Sequence, residues 1–199
     1  SSVTGVQTCA LPIYIVLGHD DVSGYESRRD YLGVTVGRYA NRIAGGQFAL
    51  DDVTYLLTRN DGSSTLHGGE AGFDRAVWKI VSIGQGPESS VMLCHVSPDG
   101  EDGFPGEVHA TVTYTLNAAG DLAITMAATT TKPTVIAMTN HAVFDLSGDE
   151  SRIGAMHHRL CIPADTFTPV DNRFIPTGEL RPVTGTVFDF RKGRVVAEG

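Results

Sequence analysis

Val108-His109-Ala110-Thr111-Val112-Thr113-Tyr114-Thr115-Leu116 decides the fold. Apolar side chains at 108, 110, 112, 114 and 116 alternate with His109 and three threonines. Side chains in a strand project to opposite faces in turn, so this pattern predicts a strand with one face buried. Asn117 to Gly120 turns the chain, and Leu122, Ile124, Met126 and Ala128 resume the same period. Two period-two segments joined by a short polar turn predict an antiparallel meander.

Outward from this meander the pattern stays β. Ala76 to Ile83 and Ser90 to Val96 read as strands around the turn residues Gly84 to Glu88. Further upstream, Gly45 to Leu50 and Val53 to Leu57 flank Asp51-Asp52, a hairpin with a polar two-residue turn. Shorter strand candidates are Tyr14 to Gly18, Thr134 to Met138, Arg159 to Pro163 and Thr186 to Phe190. Residues 18–38 read as turn-rich, and Asn60 to Arg75 as a glycine-rich loop. No stretch holds a 3.6-residue apolar period over ten residues, so the class is all-β, with antiparallel strands packed in layers. Residues 1–13 match nothing that follows and read as an artefactual or disordered head, a genuine irregular tail being the alternative, which leaves 14–199 as one partial domain.

Composition narrows the function. Fifteen Lys and Arg stand against 23 Asp and Glu, a net charge of −8, with no basic cluster to track a phosphate backbone. Nucleic acid is therefore not an expected partner. No apolar run of about 18 residues exists to span a membrane. Cys9, Cys94 and Cys161 form no CxxC, and the last two lie in apolar alternating segments. They read as small core residues in a reducing, cytoplasmic setting, with a periplasmic or secreted location left open. Ser97 to Gly103 is acidic but lacks the order of a calcium loop, so it reads as turn chemistry.

Chemistry gathers in three polar clusters: Gly37-Arg38-Tyr39-Ala40-Asn41-Arg42-Ile43, Thr65-Leu66-His67-Gly68-Gly69, and Asn140-His141. Imidazole gives or takes a proton near neutral pH. Asn and Arg donate to hydroxyl oxygens, and the glycines after His67 leave its ring open to close approach. Taken singly, each has an ordinary structural reading: a loop salt bridge for Arg38 and Arg42, a backbone-satisfied ring for His67 and His141. Together they suit a polyhydroxylated neutral ligand. A metal is not expected, because HxH and HxxxH spacings and a nearby carboxylate set are lacking, and adjacent His157 and His158 would face opposite ways in a strand. GxSxG, Walker A and strand-linked GxGxxG motifs are absent too.

The same residues carry a resemblance. Gly37 to Phe48, Leu66-His67-Gly68-Gly69 with Gly72-Phe73-Asp74 and Trp78, and Asp102-Gly103-Phe104-Pro105-Gly106 resemble the aldose 1-epimerase (galactose mutarotase) family. So do Thr139-Asn140-His141 with Phe144-Asp145-Leu146, Ala164 to Asp171, and Ile175 to Glu179, in the family's order from about Gly18 to Arg191. The resemblance implies a large antiparallel β-sandwich of the galactose-mutarotase type. It implies interconversion of the α and β anomers of a free aldohexose such as galactose or glucose, with no cofactor. By position, His141 is the acid serving the ring oxygen, His67 a second catalytic-site His bonding the sugar, and Asn41 and Arg42 hydroxyl-binding residues. Two departures stand out. Val143 replaces the usual aromatic two residues after His141. The family's general-base Glu and a sugar-binding Asp are expected beyond residue 199, and neither Asp145 nor Glu150 substitutes by motif. The expectation is thus a fragment, incomplete at its C-terminal side, with little activity alone. Other readings are a non-catalytic carbohydrate-binding module, a hexose-6-phosphate epimerase relative, for which no added basic cluster is seen, and a fragment with no stable fold.

Overall fold

The computed structural model of the chain describes residues 15–147 and 154–198. The head at 1–13, Tyr14, Cys9 and Glu150 lie outside the described residues. The chain divides into two compact units: Val34–His141 with Val170–Ile175, and Ser1–Gly33, Ala142–Pro169 and Pro176–Gly199.

The first unit carries β1 (Thr35–Val36), β2 (Arg42–Ile43), β3 (Gln47–Leu50), β4 (Val53–Leu56), β5 (Thr65–Leu66), β6 (Lys79–Gly84), β7 (Glu88–Ser97), β8 (Val108–Asn117), β9 (Leu122–Thr130) and β10 (Thr139–Asn140). The predicted meander is its largest sheet, an antiparallel β6-β7-β8-β9 ribbon. Val112 opposes Met126 and Leu93, and Tyr114 opposes Ile124 and Val91, so the alternating apolar residues share one face. Val108, Ala110 and Val112 are buried on it, while His109 is exposed. Phe73, Val108 and Ala110 form the core there, flanked by Trp78 and Met138. Toward the far end of the same face Leu116 and Leu122 are half exposed.

β3 and β4 form the predicted hairpin, with Leu50 opposite Val53. Asp51 and Asp52 both take positive φ, 49° and 61°, the pairing that a type I′ turn requires. Aspartate tolerates that region better than most residues, which is why this turn works without glycine.

The other unit is built of shorter pieces. They are α1 (Val22–Ser27), β11 (Arg159–Leu160), β12 (Thr166–Phe167), β13 (Arg181–Pro182) and β14 (Arg194–Val195), with β11 paired to β14 and β12 to β13. Among the described residues, no helix is long and apolar enough to cross a membrane.

Several expectations are corrected. Helix α1 stands in a stretch read as turns; it is six residues long and starts where Asp21 accepts the Gly24 N–H, too short to show a helical period. Val16 makes one bridge, to Phe144, and no strand. Between 134 and 138 only Ala137 bridges, to Tyr39, and the paired strand is β10, just downstream. Only the first two residues of the 159–163 candidate form a strand. The 186–190 segment is not a strand, because the Thr186 hydroxyl donates to the Val183 carbonyl and accepts the Phe188 N–H, closing turns instead. Cys161 is exposed and donates weakly to the Arg191 carbonyl, so it is not a core residue.

Candidate active site

Three local structures bring the polar clusters together within the first unit. The first is the β2–β5 ladder. Arg42 opposes Leu66, so the next pair outward is Asn41 and His67. His67 N–H donates to the Asn41 carbonyl at 3.1 Å, and Asn41 N–H donates to His67 Nδ1 at 3.1 Å. Both residues sit at positive φ, 67° for Asn41 and 53° for His67. Asn and His are among the few side chains enriched there.

The second is the turn that carries His67. The Asn60 carboxamide donates to the Leu66 carbonyl at 2.9 Å and the Gly69 carbonyl at 3.0 Å, and accepts the Leu66 N–H at 2.7 Å. The Asp102 carboxylate accepts the N–H groups of Glu70 at 3.0 Å and Ala71 at 2.8 Å. Gly68 is buried at φ 93°, and a Cβ there would lie 1.9 Å from the Gly37 carbonyl oxygen. Only glycine fits such an approach.

The third is the end of β10. β1 and β10 pair with Val36 opposite Thr139, and His141 N–H then donates to the Val34 carbonyl at 2.9 Å. This holds His141 at a strand end, where its ring stands perpendicular to that of His67 with centroids 5.2 Å apart. Both histidines are half-buried.

Arg42 has the ion pair foreseen as its ordinary reading: Nε donates to Asp61 at 2.6 Å, and the guanidinium lies over the Phe174 ring at 5.0 Å. Its Nη1 is 3.5 Å from the Asn41 side-chain oxygen. Arg38 does not have it. The residue is 2% exposed, and its guanidinium donates to the Ser97 hydroxyl and to the carbonyls of Ser97, Pro98, Pro105 and Gly106. Burial lowers its pKa, while the nearby Glu101, Asp99 and Asp102 carboxylates oppose that shift. Arg38 is thus a buried scaffold beneath the His67 turn; the adjoining Gly37–Arg38 peptide bond is cis.

The structure therefore brings Asn41, Arg42, His67 and His141 into one neighbourhood. Asp145 belongs to the other unit, where its carboxylate sits 3.2 Å from His158 Nε2 and is held below the usual carboxylate range, chiefly by the Ser147 hydroxyl. Sequence reasoning missed Asn60, Asp61, Asp102 and Phe174. Asp102 lay in plain view inside the Asp102-Gly103-Phe104-Pro105-Gly106 string, without a role. Asn60 and Asp61 could have been suspected as turn-forming residues at the mouth of the loop, whereas nothing local marks Phe174. Among the described residues, no group of three or more His, Cys, Asp or Glu side chains could hold a metal ion.

Comparison with known proteins gives this geometry its context. The family model for aldose 1-epimerase matches residues 11–199. Galactose mutarotase of Bos taurus is 45% identical over 178 residues, covering 89% of this chain and 50% of that protein. Aldose 1-epimerase of Escherichia coli K12 is 40% identical over 182 residues, 92% of this chain and 51% of that one. The chain spans about half the length of the curated relatives it matches. Among solved structures, galactose 1-epimerase from Lactobacillus acidophilus superposes with a TM-score of 0.85 at 32% identity, over 92% of this chain and 54% of that one. The GalM/aldose epimerase homologue from C. elegans gives 0.84 at 39% identity, over 92% and 55%. The all-β, antiparallel architecture is that of galactose mutarotases. The chain belongs to the aldose 1-epimerase family.

Proposed function

We propose that this chain supplies the acid side of an aldose 1-epimerase site that interconverts the α and β anomers of a free aldohexose such as galactose or glucose. The observation that carries the reading is the His67–His141 pair, with ring centroids 5.2 Å apart beside Asn41 and Arg42. Two imidazoles, a carboxamide and a guanidinium match a ligand whose surface is hydroxyl oxygen.

The proposed chemistry needs only proton transfers. A base removes the proton from the anomeric hydroxyl, the new C1 carbonyl forms as the C1–ring oxygen bond breaks, and the ring oxygen takes a proton from His141. Rotation about C1–C2 and closure by the reverse steps give the other anomer, with both groups restored. A positioned acid or base contributes roughly 10²–10⁴-fold. Asn41, Arg42, His67 and His141 include no carboxylate, so these four residues supply the acid and the hydrogen bonds and not the base.

Titration of the isotope-labelled chain with galactose tests the reading. The ring signals of His67 and His141 are expected to move with a common saturation curve, while those of His109, whose ring pairs with Glu107 on the outer face of β8, stay still. No movement at either ring up to high millimolar galactose would overturn it.

A further inference from the structure

The contact between Asn41 and His67 fixes more than position. A backbone N–H can only donate a hydrogen bond, so at 3.1 Å from the Asn41 amide His67 Nδ1 must present its lone pair. In neutral imidazole the proton is then on Nε2, because the bond made by one ring nitrogen sets the tautomer of the other. His67 N–H bonds back to the Asn41 carbonyl, so ring and main chain of His67 are held by a single residue across the ladder.

The turn is held from below as well. Asn60 grips Leu66 and Gly69, the residues on either side of His67-Gly68, with three hydrogen bonds. Its carboxamide is oriented by both functions, with oxygen to the Leu66 N–H and nitrogen to the two carbonyls. An Asp at 60 would face those carbonyls with a second acceptor, and an Ala would leave all three groups without this partner.

We propose that His67 serves the site as a fixed Nε2–H hydrogen-bond donor, its tautomer set by the Asn41 backbone amide and its turn held by Asn60 as a positioning residue. With Nδ1 engaged by the Asn41 amide, His67 cannot take up a proton there without losing that bond. This rests on the sugar-site reading above, but its test does not require sugar or turnover. Asn41 contributes through its main chain, so its side chain is dispensable for this task.

The experiment is nuclear magnetic resonance on the uniformly ¹⁵N-labelled 199-residue chain at pH about 8, above the ordinary histidine range. A scalar coupling across the hydrogen bond, from the Asn41 amide nitrogen to His67 Nδ1, is expected, with the His67 ring proton on Nε2. Asn41→Gly retains the amide and tolerates positive φ, so the coupling persists. Asn60→Ala loses the coupling and lets the His67 ring average between tautomers, while the His109 ring is unchanged. A proton on Nδ1 in the unaltered chain, or an absent coupling with a sharp His67 ring, would overturn the proposal whatever the variants do. So would an undiminished coupling in folded Asn60→Ala. Should Asn60→Ala not fold, the unaltered chain and Asn41→Gly decide alone. If galactose moves neither ring yet the coupling is present, the sugar reading fails and the tautomer stands.

Discussion

Gly68 offers a quantitative test of how the His67 turn is built. In Gly68→Ala the new Cβ would start 1.9 Å from the Gly37 carbonyl oxygen, 2.5 Å from its carbon and 2.7 Å from Arg38 N. A carbon and a carbonyl oxygen settle no closer than about 3.3 Å, so two backbone segments must part by well over an ångström. Forcing extra volume into a packed site costs about 1–3 kcal/mol. Positive φ in a non-glycine residue adds about 1–2 kcal/mol, for a total of about 2–5 kcal/mol. Gly120→Ala separates the two contributions. It also has positive φ, 87°, but nothing lies within 4 Å of the added carbon, so only the conformational cost of about 1–2 kcal/mol applies. A domain of this size loses about 2–4 °C of melting temperature per kcal/mol. Urea denaturation and thermal melts of the three chains should thus rank them unaltered, Gly120→Ala, Gly68→Ala. Equal losses for the two variants would refute the close-approach argument, because the backbone contribution is common to both. The His67 ring signals should move only in Gly68→Ala.

Two further outcomes follow from buried groups. Arg38→Lys keeps a charge but brings three donors to acceptors that receive five hydrogen bonds from Arg38; with at least two stranded at about 1–3 kcal/mol each, urea denaturation should show a loss of about 2–6 kcal/mol. A loss below 1 kcal/mol would mean that the fork geometry matters little. His95 packs against Phe73 and Trp78, and its Nε2 has no hydrogen-bond partner among the described residues. Burial lowers its pKa below 6.5, with Glu101 opposing and Arg38 reinforcing the shift. Above the unfolded value both states are neutral and its contribution is complete; as pH falls below that value, the unfolded chain takes up the proton first and stability drops toward the lowered folded pKa. The urea midpoint should therefore fall more steeply from pH 7 to 5.5 in the unaltered chain than in His95→Gln, and parallel curves would rule this out.

Much of the site could be read locally. His67 with its two glycines, Asn41-Arg42 and Asn140-His141 each stand out as polar strings among apolar strands. What they do to one another could not be read. Arg38 and Arg42 are four residues apart in one string and look alike. One is buried against carbonyls and the other pairs with Asp61 over Phe174, a difference set by segments far along the chain. The two-residue strands were equally hidden, since two residues show no period; β2, β5 and β10 exist because partners lie alongside them.

By itself the sequence determined the class, because period-two alternation over β8 and β9 places the large apolar side chains, from Val108 to Leu116 and from Leu122 to Met126, on one face, as only a strand would. It determined the family as well, through the order and spacing of its unusual strings. Only the tertiary structure decided which histidine has its tautomer set and which strand end carries the other ring. Those outcomes depend on single hydrogen bonds between residues distant in the chain: the Asn41 amide on His67 and the His141 amide on Val34. A linear pattern records what each residue can donate or accept, while the folded chain selects which partner it meets.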